Sequence, residues 1–193
     1  MKPINDFYAM KRRRFIPLLI APLAAKADDE PRLIPSSELA RKWRRTKSLT
    51  APVIEVRRTS RPKKGITLEE EIVEVKVDAD TETRFQNIQF ALNSDRLETG
   101  VTQAQIVEIA AAMKLAGTEL FLIEGHTCDL GVPAYNKDLS QRRAETVVTA
   151  LVQLGVPQNR LDAIGFGAEK PLSPGTDEAA RASNRRVQIY RKV

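Results

Sequence analysis

Residues 120–155 read LFLIEGHTCDLGVPAYNKDLSQRRAETVVTALVQLG, and within them the hydrophobic period changes. Leu120 to Ile123 is an unbroken apolar run, which suits a strand covered on both faces. After a polar loop the period lengthens. Ala144, Val147, Val148 and Leu151 form a helical stripe, Gly155 ends it, and a helix is predicted over about 133–154. The same reading extends outward. Upstream, NIQFAL (87–92) is predicted as a short strand. Val101 to Ala116 is predicted as a helix with Ile106, Ile109, Ala110 and Met113 on one face and Gly117 as its stop. Downstream, RLDAIGFG is a third strand, and a polar loop with Pro171, Pro174 and Gly175 carries one helical turn near Asp177 to Ala182. RRVQIYRK closes the chain as a fourth strand. Helices packed on one sheet follow, an α+β or α/β sandwich of about 110 residues.

The front of the chain has another character. A basic cluster at Lys11–Arg14 precedes an apolar run from Phe15 to Ala25, and Ala25-Lys26-Ala27 resembles a cleavage site. Residues 1–27 are predicted to be a secretory signal peptide, too short and too proline-broken to span a bilayer. No transmembrane segment is expected in the mature chain. No Cys follows the apolar run, so no lipid is expected on the new terminus. The chain's formal charge is +6, and residues 1–27 carry +5 of it, leaving about +1. A nucleic-acid partner is therefore not indicated. Residues 28–84 are predicted to be a flexible tether with short strands. Within it, 28–64 carry four prolines and a charge of +6, while 65–85 carry −5. EIVEVKVDA alternates and predicts an exposed strand or hairpin arm.

The chain has one His and one Cys, His126 and Cys128, two positions apart. A nucleophile and base pair is one reading. It lacks a residue to orient the base, and a zinc site would need three or four ligands. The plainer reading has His126 hydrogen-bonded in the turn and Cys128 packed as a small apolar residue. No catalytic residue, metal or cofactor is expected. The arginines say more. At about 100° per residue, Arg142 points away from the Val147/Val148 stripe, and Arg143 lies on its flank beside Asn136 and Leu139. On the last strand Arg185 shares the Val187 face and Arg186 takes the other. Arg143 and Arg185 are thus expected to be half-buried cations in need of anions. Asp129 is one candidate partner. An external carboxylate, gripped in two-pronged fashion by guanidinium, is another.

EGHT at 124–127, Gly131, AYN at 134–136, LSQRRA at 139–144, GFGAEKP at 165–171 and NRRVQI at 184–189 stand in order along the chain. With these motifs, residues 87–193 resemble the C-terminal, peptidoglycan-associating domain of the outer-membrane protein A family. The resemblance implies an α+β, βαβαβ-type sandwich over 85–193, its helices on one four-stranded mixed sheet. It also implies non-covalent binding of the wall's stem peptide at diaminopimelate. By position, Arg143 and Arg185 match the family's carboxylate-gripping arginines, and Asn136 and Leu139 match pocket-edge residues. The family acid directly after GHT is replaced by Cys128, leaving Asp129 to meet the ligand ammonium.

The expectation is a periplasmic module bound to peptidoglycan, associated with the wall or outer membrane of a Gram-negative bacterium, and not an enzyme. The 58 positions of 28–85 are too few for a family barrel of eight strands, which needs roughly 80. Two other readings compete: a wall hydrolase using His126 and Cys128, and an adaptor whose tether (28–64) binds an envelope protein through Trp43.

Overall fold

The computed structural model describes residues 32–44 and 75–193. The predicted signal peptide, and the parts of the predicted tether at 28–31 and 45–74, lie outside them. In chain order the elements are α1 (Ser36–Trp43), β1 (Val77–Phe85), α2 (Val101–Leu115), β2 (Phe121–His126), α3 (Pro133–Gln153), a 3-10 turn (Gln158–Arg160), β3 (Leu161–Gly167), α4 (Glu178–Asn184) and β4 (Val187–Lys192). The strands form one mixed sheet ordered β1-β4-β2-β3. β2 and β3 are parallel, as a strand–helix–strand crossover requires, and β4 runs antiparallel to both β1 and β2. This is the expected α+β sandwich of helices on a four-stranded sheet.

Period-two alternation divides the sheet's residues between its faces. Phe121, Ile123, Leu161, Ala163, Val187 and Ile189 meet Ile109, Met113, Val147 and Leu151 of the helices in the main core. Leu122, Ile164, Phe166 and Tyr190 belong to a second cluster on the other face, with Val75 and Val77. In β1, Val77 opposes Lys192 and Phe85 opposes Val187, with an irregularity between Asp78 and Thr83. That bulge carries Phe85 to the helical face while Val77 stays on the other.

Two glycines set how closely α3 approaches the sheet. A Cβ on Gly125 would lie 2.3 Å from the Ser140 carbonyl oxygen, and one on Gly165 would lie 2.2 Å from the Gln141 backbone nitrogen. The helix backbone therefore rests directly on β2 and β3. It also covers the exposed edge of β3. Gly165 N–H donates to Gln141 Oε1 at 2.7 Å, and Gly167 N–H donates to Ser140 Oγ at 2.7 Å. Donors that edge strands leave open are thus closed by α3 side chains.

Three expectations are corrected. Residues 87–92 are not a strand of the sheet; they contribute one isolated bridge, Phe90 to Leu97, and the first strand is β1. The fold therefore begins before residue 85, and Val77–Phe85 is an integral edge strand rather than a free arm. Nor is the region around residue 40 an extended tether. Leu39, Ala40 and Trp43 of α1 are buried, and the fully buried Trp43 ring lies 5.0 Å from Phe121 in a tilted pair. The lead-in to α1 is fixed by the buried Gln105. Its Oε1 accepts from Ile34 N–H at 2.7 Å, and its Nε2 donates to the Ile34 carbonyl at 3.0 Å. An indole enclosed in the core cannot anchor an outside protein.

Candidate functional site

The close seating of α3 delivers its first turns to the loop that follows β2. Asn136 is buried there, and its amide donates to the carbonyls of Leu130 at 2.9 Å and Cys128 at 3.4 Å. Gly131, at φ 97°, supplies the left-handed turn that brings the loop back to the helix. Leu139, one turn on from Asn136, is 4% exposed. The expected pocket-edge pair is therefore inward, with Asn136 holding the loop in shape.

Arg143 follows on the same flank. Its Nε donates to the Ser94 carbonyl at 2.9 Å, and its guanidinium sits 4.9 Å from the centre of the Phe90 ring. Burial works to lower its proton affinity; Tyr135 and Cys128 oppose that, and the nearby Arg185 adds to it. Among the described residues, no carboxylate forms an ion pair with it. Arg142, its neighbour, has two: Asp138 one turn back and Asp95 at 3.4 Å. The two arginines are both partly buried and differ in their partners, carboxylates for Arg142 and a carbonyl and a ring for Arg143.

Arg185 departs from expectation. It caps the C-terminus of α4 just before β4, and it is exposed rather than half-buried. It bonds Glu178 at 2.5 Å and has Cys128 beside it. Burial works to lower its proton affinity, and the bonds to Glu178 and Cys128 outweigh that and raise it. The inward arginine is Arg186, which is 4% exposed and bonded to Gln188, the Asn184 carbonyl and the Lys170 carbonyl. Burial, then the charge of Arg84, bring its proton affinity down to about 10.

Asp129 also departs. Both of its oxygens face Arg181 of α4, at 2.8 and 3.3 Å. That contact holds its carboxyl below the ordinary carboxylate range. Asp129 thus meets a guanidinium of its own chain, one that sequence reading did not single out.

The His126–Cys128 pair is split. Gly125 faces α3, so its strand neighbours Glu124 and His126 face the other way. His126 is 2% exposed, stacks on Phe166 at 5.6 Å, and makes a loose 3.4 Å contact with Glu124. Among the described residues neither of its ring nitrogens has a hydrogen-bond partner. Burial lowers its proton affinity more than Glu124 raises it, which favours the neutral ring. Cys128 sits instead among the arginines, buried and free of any disulfide.

The OmpA family model matches residues 89–185, half of the chain. The chain belongs to the OmpA family. A peptidoglycan-associated lipoprotein of Haemophilus influenzae is 36% identical over 112 residues, 58% of this chain and 72% of that protein. An outer membrane porin F of Pseudomonas fluorescens is 47% identical over 66 residues, 34% of this chain but only 20% of the porin. The crystal structure of the peptidoglycan-associated lipoprotein from Burkholderia pseudomallei superposes with a TM-score of 0.50 at 36% identity. It covers 54% of this chain and 87% of that one. The OmpA match begins after β1, so α1 and β1 lie outside the matched span.

Sequence reading missed the site's floor and its buttresses. Phe90, from the segment 87–92 first read as a strand, and Ser94, just beyond it, touch Arg143, and the Tyr135 hydroxyl reaches the Asn93 carbonyl at 3.4 Å. Asn184 holds the loop before α4 through Leu172 and Ser173. The available signals were Asn93-Ser94-Asp95 as turn residues and the Asn of NRR.

Proposed function

We propose that this OmpA-family domain binds peptidoglycan non-covalently, gripping a carboxylate of the stem peptide's diaminopimelate with Arg143 and Arg185. One observation carries the reading. Arg143 is a half-buried cation held in place by a backbone carbonyl and an aromatic ring, with no acid of its own among the described residues. A buried charge without a counter-ion is costly, so a site that keeps one is suited to receive an anion. Guanidinium meets carboxylate through two parallel bonds, each contributing about 1.5–3 kcal/mol before desolvation and ordering costs. Asn136 shapes the rim, Leu139 backs it, and Asp129 serves by fixing the loop to α4.

The presence of a peptidoglycan-associated lipoprotein among the relatives supports this ligand. The place of action is then the periplasm, at the wall or outer membrane of a Gram-negative bacterium, and the role is anchorage rather than catalysis. A modest single-site affinity suffices, because a repetitive polymer keeps the effective concentration high. The hydrolase reading has no such support: among the described residues neither ring nitrogen of His126 hydrogen-bonds Cys128, which lies in the loop beyond β2. Co-sedimentation of the full chain with purified sacculi tests the proposal. Arg143→Ala should cut the bound fraction at least tenfold, whereas Arg142→Ala should leave it within about twofold. Equal losses, or none, would overturn it.

A further inference from the structure

The acids of the site are already engaged by other guanidiniums, and this deepens the reading just given, on which it rests. We infer that the pocket selects its ligand by carboxylate alone and makes no use of the neighbouring ammonium, so a stem-peptide end group binds whether its amine is free or acylated.

The argument is a local charge inventory. Around Arg143 and Arg185 the described carboxylates are Asp95, Asp129, Asp138 and Glu178. Asp95 and Asp138 pair with Arg142, Asp129 with Arg181, and Glu178 with Arg185. Each acid already faces a guanidinium, and of the four arginines concerned Arg143 is the one with no ion pair to a described carboxylate. Where an ammonium would need an anion, the loop offers Cys128, whose sulfur is only a weak acceptor. An incoming ammonium would therefore shed water beside two guanidiniums and gain no carboxylate in return. The carboxylate has the opposite prospect. Acylating the amine removes a charge the site does not match and so costs little. In a cross-linked wall that amine is an amide, and the pocket would accept such stems along with uncross-linked ones.

Competition for sacculus binding by the full chain tests this, with meso-diaminopimelate, its mono-N-acetyl derivative and pimelate as competitors. Expected for the natural chain are half-displacing concentrations for all three within about threefold, or lower for pimelate. Cys128→Asp should then favour diaminopimelate over pimelate by tenfold or more. Arg181→Gln, which releases the Asp129 carboxylate from α4 without changing any residue of the loop, should move the ratio the same way by about threefold. Thermal melting checks that each variant is folded, and either variant alone decides the question. Displacement of the natural chain by diaminopimelate but not by pimelate would overturn the selectivity and leave wall binding intact. A chain that does not bind sacculi at all would overturn the proposed function, and this inference with it.

Discussion

The Asp129 carboxylate and the Arg181 guanidinium meet in a two-pronged pair at 2.8 and 3.3 Å, joining the loop after β2 to helix α4. Both groups stand at the surface, and the pair's consequence is positional: it commits the loop's one carboxylate to α4. The hydrogen bond from Arg181 is the main cause of the lowered Asp129 proton affinity. Replacing Arg181 with Gln should therefore raise the Asp129 pKa towards the ordinary carboxylate value, as read by carbon-detected NMR titration. No movement would show that the pair is not held in solution.

Trp43→Ala should cost about 3–5 kcal/mol, because it removes a fully buried indole and leaves a cavity against Phe121. Chemical denaturation measures this directly. A loss below about 1 kcal/mol would mean that α1 is not docked in solution. By the same argument a piece beginning at residue 85 lacks α1 and nearly all of β1. It should be less stable than one beginning at residue 31.

Gly165→Ala tests the contact between α3 and the sheet. Its new methyl would collide with the Gln141 backbone, which only a shift of the helix can relieve. A loss of about 3 kcal/mol or more is expected, together with weaker sacculus binding as Asn136 and Arg143 shift with the helix. Gly117, whose Cβ would meet nothing within 4 Å but whose φ is 75°, should respond to Ala through backbone strain alone and leave binding unchanged in the folded fraction.

His126 should make the fold acid-sensitive. Glu124, Arg186 and Lys170 bear on it electrostatically, and burial keeps its folded pKa below the unfolded value of about 6.5. The unfolded chain then binds the proton more readily. His126's contribution is complete above about pH 6.5, and it is lost as the pH falls from there towards the folded pKa, at up to about 1.4 kcal/mol per unit. Denaturation midpoints from pH 7.5 to 5 measure the slope. His126→Gln should flatten it, and an unchanged slope would assign the acid sensitivity to other groups.

Much of the fold is legible in the chain. The stripe of Ala144, Val147, Val148 and Leu151, the run Phe121–Ile123 and the alternation of Val187 and Ile189 are local patterns, each set by which residues must leave water. α1 and β1 are not legible in that way. A helix of eight residues is marginal by itself. Its burial of Leu39 and Trp43 exists only against α2 and Phe121, which its own sequence does not reveal. VDADTETRF carries too little apolar surface to read as a strand until β4 lies beside it.

The candidate site divides along the same line. Helical geometry suffices to separate Arg143 from Arg142, because both sit on one rigid element and differ by about 100°. Which acid answers which arginine is a long-range matter. Arg181 lies 52 positions from Asp129, and Arg143 lies 49 from Ser94. The chain alone therefore settles which residues can be buried or charged on each element. Only the folded arrangement decides which charges pair and which, like Arg143, meet no carboxylate among the described residues, because a charge's partner is set by distance in space.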